Sequence, residues 1–522
     1  MSILRQWKPD QTLDAALVSG GDDRLKIDVH SGMNGYGCTP FPRPDQISLS
    51  STTASTISAP AYNAAAATFG RLKPEDSGAS GRYADAMEEI KAALKSSFGW
   101  VDEEIILSPS GTDSELLLLH LAQALFKQPP TSVLVSSDET GSGVWLAASG
   151  RHFSSRTSSG RLVGKGDPID GLNGSIISIN SRGEDGELLS TDAVDSIVHD
   201  RISTEIRSGR SVVLHVMHHS KTGARGPSEQ CLTHLLAQFP LQLQIAVDAC
   251  QGRASPEELR RFLGAGCIVL ITGSKFFSGP PLSGALVLPP ALAERFRRAP
   301  ASSAELGDYS TRYDWPADWT IREALPDRVN IGQLLRWRAA LTEIERYFAV
   351  PLAFRETALQ SFETAVRRAF LRHNEVQLLD GEPEAPLRKT SQRNEFRFRS
   401  VFSFAANGEH GALQEPEARL LYRALNVDVS AVGPSPVAAQ SCHIGQPVVI
   451  KSTAKCLGAL RISASARLAS ESWAGISARS SLERLQENCA KVNTVLEKTS
   501  FLLERFELVR KFLEQSDRKS MQ

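Results

Sequence analysis

This sequence of 522 residues has almost no net charge, no long apolar run and no closely spaced pair of cysteines. The 58 Lys and Arg residues nearly balance the 59 Asp and Glu residues, so bulk charge favours neither nucleic acid nor a membrane surface as a partner. No uninterrupted apolar run approaches the roughly 20 residues of a membrane span, and the N-terminus lacks the apolar core of a signal peptide. We therefore expect a small-molecule partner.

Cysteine and histidine show no spacing typical of metal sites or disulfides. The seven cysteines include no C-x-x-C pair, and their odd number favours reduced thiols and a cytoplasmic protein. The eleven histidines add no cluster with ligand spacing, so we expect no metal site.

The length exceeds that of a single core, so we expect two or more lobes. Residues 1–80 are rich in Gly, Pro, Ser and Thr, which predicts an irregular N-terminal arm. The arm is either disordered or laid over a larger body, and the aromatic anchors Tyr36, Phe41 and Tyr62 favour the second interpretation. The other predicted units are a large α/β domain (81–300), a helical connection (301–395), a small α+β domain (396–480) and a C-terminal helix (481–522).

Apolar strands alternate with amphipathic helices through the large domain. A helix predicted over residues 82–98 ends at Gly99, and a strand follows over 104–107. Continuous apolar strands separated by helices indicate a mainly parallel sheet with both faces covered. The predicted fold class is α/β, with a smaller α+β lobe towards the C-terminus.

An acid and an amine each follow an apolar run in the stretch 245–288. Asp248 ends the first run, and Lys275 follows the second in Thr-Gly-Ser-Lys. Open α/β sheets gather ligand sites at the carboxyl ends of their strands. Pyridoxal 5'-phosphate (PLP) needs a lysine that forms a Schiff base and an acid that pairs with its ring nitrogen. Either residue alone is commonplace in loops, but together they indicate a PLP site.

The cofactor's phosphate needs an anion-binding turn, and residues 110–112 offer one. Ser110, Gly111 and Thr112 follow a predicted strand and open a helix, where unpaired N–H groups and the helix dipole attract an anion. By itself this pattern more often marks an ordinary N-cap. Thr272 and Ser274 supply two further hydroxyls beside the lysine.

In their order along the chain, these motifs resemble the class V aminotransferase group of fold-type-I PLP enzymes, which includes cysteine desulfurases, kynureninase and isopenicillin-N epimerase-like proteins. The resemblance covers roughly residues 85–480 and includes Ser110-Gly111-Thr112, the D-x-x-Q strand end of Asp248 and Gln251, and the lysine loop. It implies that Gln251 hydrogen-bonds the ring hydroxyl and that Arg461, in an R-x-S segment, binds the substrate carboxylate.

Two of the chain's departures from this group bear on its chemistry. Where the group stacks a histidine on the ring, the sequence has Asp138-Glu139-Thr140, and Thr140 is the candidate for that place. The position of the desulfurase cysteine falls on Ile444, with Cys442 two residues away. Cysteine desulfurase chemistry is therefore disfavoured.

The resemblance implies an enzyme acting on an amino acid or related amine, and a homodimer. Transamination is the first expectation, because it asks for little beyond the lysine, the acid and the arginine. A lyase that breaks a Cβ–S or Cβ–C bond is the alternative, and a non-catalytic scaffold is the third. His218 and His219, at another predicted strand end, are either proton carriers or structural residues.

Overall fold

The computed structural model describes residues 11–72, 79–299, 303–379, 394–451, 456–475 and 477–519. The helices of the described ranges are α1 (Leu13–Leu17), α2 (Ala59–Arg71), α3 (Ala79–Phe98), α4 (Gly111–Phe126), α5 (Val144–Ala147), α6 (Thr191–Arg207), α7 (Glu229–Gln238), α8 (Pro256–Gly264), α9 (Pro290–Phe296), α10 (Ile321–Ala324), α11 (Ile331–Phe348), α12 (Leu352–Phe370), α13 (Glu415–Leu425), α14 (Ala466–Ser472), α15 (Ala478–Glu504) and α16 (Phe506–Lys519). The strands are β1 (Ile47–Leu49), β2 (Glu104–Ser108), β3 (Thr131–Val135), β4 (Ser175–Ile179), β5 (Val212–Met217), β6 (Leu243–Asp248), β7 (Ile268–Thr272), β8 (Gly284–Leu288), β9 (Val376–Leu378), β10 (Val401–Gly408), β11 (Gly411–Ala412), β12 (Cys442–Lys451) and β13 (Cys456–Ser463).

The large lobe is built on a seven-stranded sheet in the order β2-β8-β7-β6-β5-β3-β4. Neighbouring strands from β7 to β4 pair in parallel, and β8 runs against both of its neighbours. The strands β3, β5 and β7 are buried along their whole length. This is the mainly parallel, doubly covered sheet that the continuous apolar runs predicted.

A second sheet forms the small lobe, with strand order β1-β12-β13-β10-β11 and with β9 on β10. Its edge strand β1 comes from the N-terminal arm and pairs in parallel with β12, where Ile47 lies opposite Cys442. The described part of the arm is therefore laid over the body, as its aromatic residues led us to expect.

The prediction that the arm is irregular is wrong for residues 59–71, which form α2. Ser58 caps this helix by accepting a hydrogen bond from the Ala61 N–H, and a run of alanines follows, the residue with the highest helix propensity. The helix packs on α11. Alanine is small and weakly hydrophobic, so the run gave a weak periodic signal despite its propensity.

The C-terminal segment forms two helices rather than the single predicted one. The first, α15, ends at Glu504, and α16 begins again at Phe506. The break at Arg505 lets Val509 and Leu513 become buried, with α16 packed against α13 of the small lobe. Residues 520–522 of the predicted helix lie outside the described residues.

Candidate active site

The predicted acid and amine lie at the ends of neighbouring strands. In the register of the parallel pair β6 and β7, Asp248 lies opposite Leu270, and the chain then reaches Lys275 through the end of β7. Both residues act electrostatically on the thiol of Cys250. The strand ends therefore bring Asp248 and Lys275 to one place, as the sequence predicted.

The lysine loop is held by close packing against α11. A Cβ on Gly279 would lie 2.5 Å from the Ala340 Cβ and 2.7 Å from the Gly273 carbonyl oxygen, so only glycine fits there. Ser278 adopts φ 58°, a left-handed conformation that costs free energy for a residue with a side chain. The loop conformation is thus fixed tightly around one half-buried lysine.

The amine of Lys275 makes no hydrogen bond or ion pair with any described residue. Asp248 is half-buried, and one of its oxygens accepts the Cys250 N–H at 2.9 Å. Behind it, Glu115 of α4 lies 2.8 Å from Nδ1 of His215 on β5, and both side chains are buried. A reactive amine and an acid are therefore present without a protein partner for their charges.

The phosphate-binding turn that the sequence predicted opens α4. Ser110 caps the helix by accepting the Asp113 N–H at 3.2 Å. A Cβ on Gly111 would lie 3.1 Å from the Cys250 sulfur and 3.2 Å from the Thr272 methyl group, so the turn is packed closely against the ends of β6 and β7. The turn and the acid–amine pair therefore belong to one site.

An arginine that the sequence analysis missed reaches this turn from the arm. Arg24 donates hydrogen bonds to Ser110 Oγ at 3.0 Å and to Thr112 Oγ1 at 3.2 Å. Its charge is balanced by an ion pair with Asp22. Burial raises the pKa of Asp113 to about 7, and Asp22 acts in the same direction. We call the Ser110–Asp113 turn with Arg24 and Asp22 the inner end of the site.

Three other predicted cofactor residues are buried nearby. Thr272 Oγ1 donates to the Cys250 carbonyl at 2.6 Å, so this hydroxyl is already engaged. Gln251 donates to the Thr52 carbonyl at 3.3 Å and accepts from Arg253 at 3.0 Å. Ser274 lies beside the lysine and is 8% exposed. Their roles toward a cofactor stay predictions.

The loops after β3 and β5 meet the small lobe at what we call the outer end of the site, formed by Thr140, Lys221 and Arg461. Lys221 Nζ donates to the Thr140 carbonyl, and Arg461 Nη1 donates to the Lys221 carbonyl at 3.2 Å. Burial lowers the pKa of Lys221 to about 7, and the positive charges of Arg461 and Lys275 lower it further against the pull of Glu139. Lys221 therefore interacts with the predicted cofactor lysine and with the predicted substrate arginine.

Glu139 holds the loop that carries Lys221. One carboxylate oxygen accepts hydrogen bonds from both hydroxyls flanking the lysine, those of Ser220 and Thr222, and the other accepts Arg182 Nε at 2.9 Å. Glu139 is 5% exposed. In the segment 138–140, where Thr140 was the candidate for stacking on the ring, Glu139 thus has a structural role. Asp138 is exposed and accepts the Ser181 N–H.

The two histidines after β5 interact with protein groups. His218 Nε2 lies 3.1 Å from Glu258, and His219 Nε2 accepts a hydrogen bond from Arg225 at 3.1 Å. Burial lowers the pKa of His219, and Arg225 acts in the same direction. These contacts favour the structural interpretation of both histidines.

Cys442 and Ile444 both lie in β12 and are fully buried. Burial also raises the pKa of the Cys442 thiol to about 11. A thiolate nucleophile at this place is therefore disfavoured.

Lys221 and Arg24 are the residues that sequence reasoning missed. The signal for Lys221 was present, since a lone lysine stands in Ser-Lys-Thr-Gly just after the apolar strand β5. Arg24 has no such signal, because only the path of the arm brings it to α4. Among the residues with described placement, no trio of His, Cys, Asp or Glu side chains is arranged to hold a metal ion. None of the described helices is long and apolar enough to cross a bilayer.

Known proteins resemble the chain in structure but not in sequence. No protein-family model matches the sequence, and neither does any curated protein. The cysteine desulfurase CsdA from Escherichia coli superposes with a TM-score of 0.52 at 13% identity, covering 88% of this chain and 96% of that one. A cysteine desulfurase from Thermococcus onnurineus NA1 gives 0.50 at 15% identity, with 88% and 95% covered.

A structure of Oryza sativa TDC with PLP gives a TM-score of 0.50 at 12% identity, covering 90% of this chain and 84% of that one. At such identities the likeness shows the fold and leaves the chemistry open. The chain has the α/β fold of fold-type-I PLP enzymes.

Proposed function

We propose that the chain is a PLP-dependent enzyme that acts on an amino acid or a related amine, with transamination as its reaction. The observation that carries the proposal is the half-buried Lys275 amine, which has no partner among the described residues and lies at the end of β7, beside the end of β6 that holds Asp248. This is the pair of groups that the cofactor's aldehyde and ring nitrogen need.

The described residues fit the cofactor at three places. Lys275 offers the amine, and Asp248 offers a carboxylate that accepts the Cys250 N–H and has no ion pair with any described residue. The turn at Ser110 offers the N-terminal N–H groups of a 16-residue helix, with Arg24 as an added cation. When bound, PLP serves as a sink for the electrons released at the substrate's Cα.

Each residue then has a defined task. Asp248 would pair with the ring nitrogen and keep it protonated, and Lys275 would hold the cofactor through its amine. The same Lys275 Nζ would act as the base for the proton on the substrate's Cα. Arg461 supplies positive charge at the outer end, where the substrate carboxylate is expected.

A lyase that breaks a Cβ–S or Cβ–C bond remains the alternative, since the solved structures of similar fold include cysteine desulfurases. The thiols of Cys442 and Cys250 do not support a desulfurase that works through a cysteine nucleophile. Cys442 is fully buried, and burial raises the pKa of Cys250, a 6% exposed residue near Lys275.

The proposal is tested by adding PLP to the purified full chain. We expect a yellow protein whose absorption band disappears on borohydride treatment, with the cofactor then linked to the peptide that contains Lys275. Lys275→Ala should abolish the band, whereas Lys165→Ala, at an exposed site, should retain it. Protein that stays colourless with added PLP would refute the proposal and favour a scaffold.

The reaction type is tested with a panel of amino acids. Lasting conversion of the cofactor to its amine form, reversed by a keto acid, supports transamination. Release of pyruvate, ammonia or a thiol without a keto acid supports the lyase.

We also propose a homodimer in the cytoplasm. All seven cysteines are free, which fits a reducing compartment. Sedimentation of the purified chain tests the assembly, and a monomer at micromolar concentration would contradict it.

A further inference from the structure

We propose that Lys221 is the residue that binds the substrate carboxylate, and that Arg461 acts chiefly by positioning the loop that carries it. This inference rests on the proposed function and deepens it, because it identifies the anion-binding group of the substrate. The resemblance implied this task for Arg461, whereas the hydrogen bonds favour the lysine beside it.

The donors of Arg461 are largely turned toward the protein. Nε and Nη2 both donate to the Gln446 carbonyl, Nη2 also donates to Thr53 Oγ1 at 3.0 Å, and Nη1 donates to the Lys221 carbonyl at 3.2 Å. The side chain is 2% exposed. The paired N–H groups of a guanidinium fork are therefore occupied, and a carboxylate could form the usual two-pronged contact only by displacing these bonds.

Lys221 is less committed. Among the residues that the structure describes, its Nζ makes one hydrogen bond, to the Thr140 carbonyl, and a protonated amine has three N–H donors. The side chain is only partly buried, whereas Arg461 is fully buried. Two donors thus remain for a ligand. The Lys221 amine also feels the charge of Lys275, the residue at which the substrate amine would arrive.

The loop around Lys221 is fixed before any ligand binds. Glu139 accepts from the hydroxyls on both sides of the lysine, and the Arg461 guanidinium holds the lysine's own carbonyl. A preorganised cation loses less conformational entropy on binding than a free one. This arrangement suits a binding residue and gives Arg461 a positioning role that needs no contact with the ligand.

The charges around Lys221 leave room for an anion. The charged groups that act on its amine are Arg461, Lys275 and Glu139, and the described residues include no carboxylate within ion-pair distance of Lys221 or Arg461. Glu139 is already paired with Arg182. A bound carboxylate would balance the excess positive charge and would favour the protonated form of the lysine.

The first experiment compares amino acids with amines that lack the carboxylate, using the full chain loaded with PLP. Dissociation constants are measured from the shift of the cofactor band with L-leucine and with isopentylamine. In Lys221→Met we expect leucine to bind about 10- to 100-fold more weakly, the loss typical of one charge-assisted hydrogen bond. Isopentylamine should bind with unchanged affinity, and Lys221→Arg should restore much of the leucine affinity.

Lys498→Met is the matched control. Lys498 is also a buried lysine, but its amine donates to the carbonyls of Leu425, Val427 and Gln440, away from the site. Its loss should destabilise the protein and leave the ratio of the two dissociation constants unchanged. An equal loss of leucine and isopentylamine binding in Lys221→Met, or no loss of either, would overturn the proposal.

The second experiment needs no cofactor. The full chain is treated with acetic anhydride with and without propionate, and acetylation of Lys221 is compared with that of exposed Lys165 by peptide mass spectrometry. We expect propionate to slow labelling of Lys221 and not of Lys165. Equal labelling of Lys221 with and without propionate would refute the carboxylate site, whereas failure of PLP to bind Lys275 would refute the proposed function alone.

Discussion

The inner and outer ends of the site each hold one ionisable group whose pKa is shifted to about 7, one upwards and the other downwards. At the inner end, burial raises the pKa of Asp113, and at the outer end, burial lowers that of Lys221. The inner end contains its own counterion, since Arg24 pairs with Asp22. The outer end has two cations, Lys221 and Arg461, that make no ion pair within the described ranges.

This difference indicates what each end can bind. The inner end relies on helix N–H groups and on a cation that is already compensated, which suits a phosphate held for the life of the enzyme. The outer end has uncompensated positive charge, which suits an anion that enters and leaves with each substrate. Four predictions test the contrast, and the largest expected effect comes first.

Replacing Arg461 with Met should lower the free energy of unfolding more than any of the other three substitutions. The substitution leaves the carbonyls of Gln446 and Lys221 without their donor in a buried place, and each orphaned acceptor costs roughly 1–3 kcal/mol. We expect the free energy of unfolding in urea to fall by about 4 kcal/mol. Arg368→Met, on α12, is the control, and a loss no larger than that of the control would contradict the assigned contacts.

Asp113→Asn should remove a pH dependence at the inner end. The folded-state pKa of Asp113 is raised to about 7, so its stabilising contribution is complete below pH 3.8 and is lost as the pH rises to about 7. Across two pH units in this window, the wild type should lose about 3 kcal/mol relative to Asp113→Asn. Denaturant titrations from pH 4.5 to 6.5 measure the slope, and exposed Asp200→Asn should leave it unchanged.

Lys221→Met should remove a pH dependence of stability that has the opposite sign and lies at higher pH. The folded-state pKa of Lys221 is lowered from 10.5 to about 7, so its contribution is complete above pH 10.5 and is lost as the pH falls to about 7. Because the side chain is partly exposed, we expect the wild type to gain only about 2 kcal/mol relative to the variant between pH 7 and 9. A parallel pH profile of the two proteins would rule out the shifted lysine.

Arg24→Met should give the smallest free-energy change of the four, about 1.4 kcal/mol, and this change concerns the binding of PLP. The Arg24 side chain is 35% exposed and donates to Ser110 Oγ and Thr112 Oγ1. The affinity for PLP should fall about 10-fold, because one charge-assisted hydrogen bond is removed, while that for pyridoxal, which lacks the phosphate, should stay the same. Equal losses for both compounds would show that Arg24 does not contact the phosphate.

The sheet and its strand-end residues were predictable because both follow from local patterns. Apolar runs such as β6 and β7 marked strands, and in a parallel sheet their carboxyl ends lie at one edge, which placed Asp248 and Lys275 together. The turn at Ser110 followed from the same logic. These predictions needed no knowledge of how distant segments pack.

The parts that the sequence did not reveal depend on distant packing or on competing partners. The resemblance implied that Arg461 binds the substrate directly, and this stays a prediction, but its donors contact the Gln446 carbonyl and Thr53, a residue of the distant arm. Arg24 and Lys221 reach the site only through the path of the arm and the anchor at Glu139. No pattern local to either residue encodes these contacts.

The pairing of β1 with β12 also sets an order of events during synthesis. Arg43, just before β1, bonds Ser441, just before β12, across 398 residues of chain. The large sheet, whose strands all lie between Glu104 and Leu288, can form on the ribosome long before β12 emerges. Until then β1 has no edge to pair with. The arm therefore reaches its native place later than the large sheet that follows it in the chain, and the outer end of the site is completed only after Arg461 has emerged.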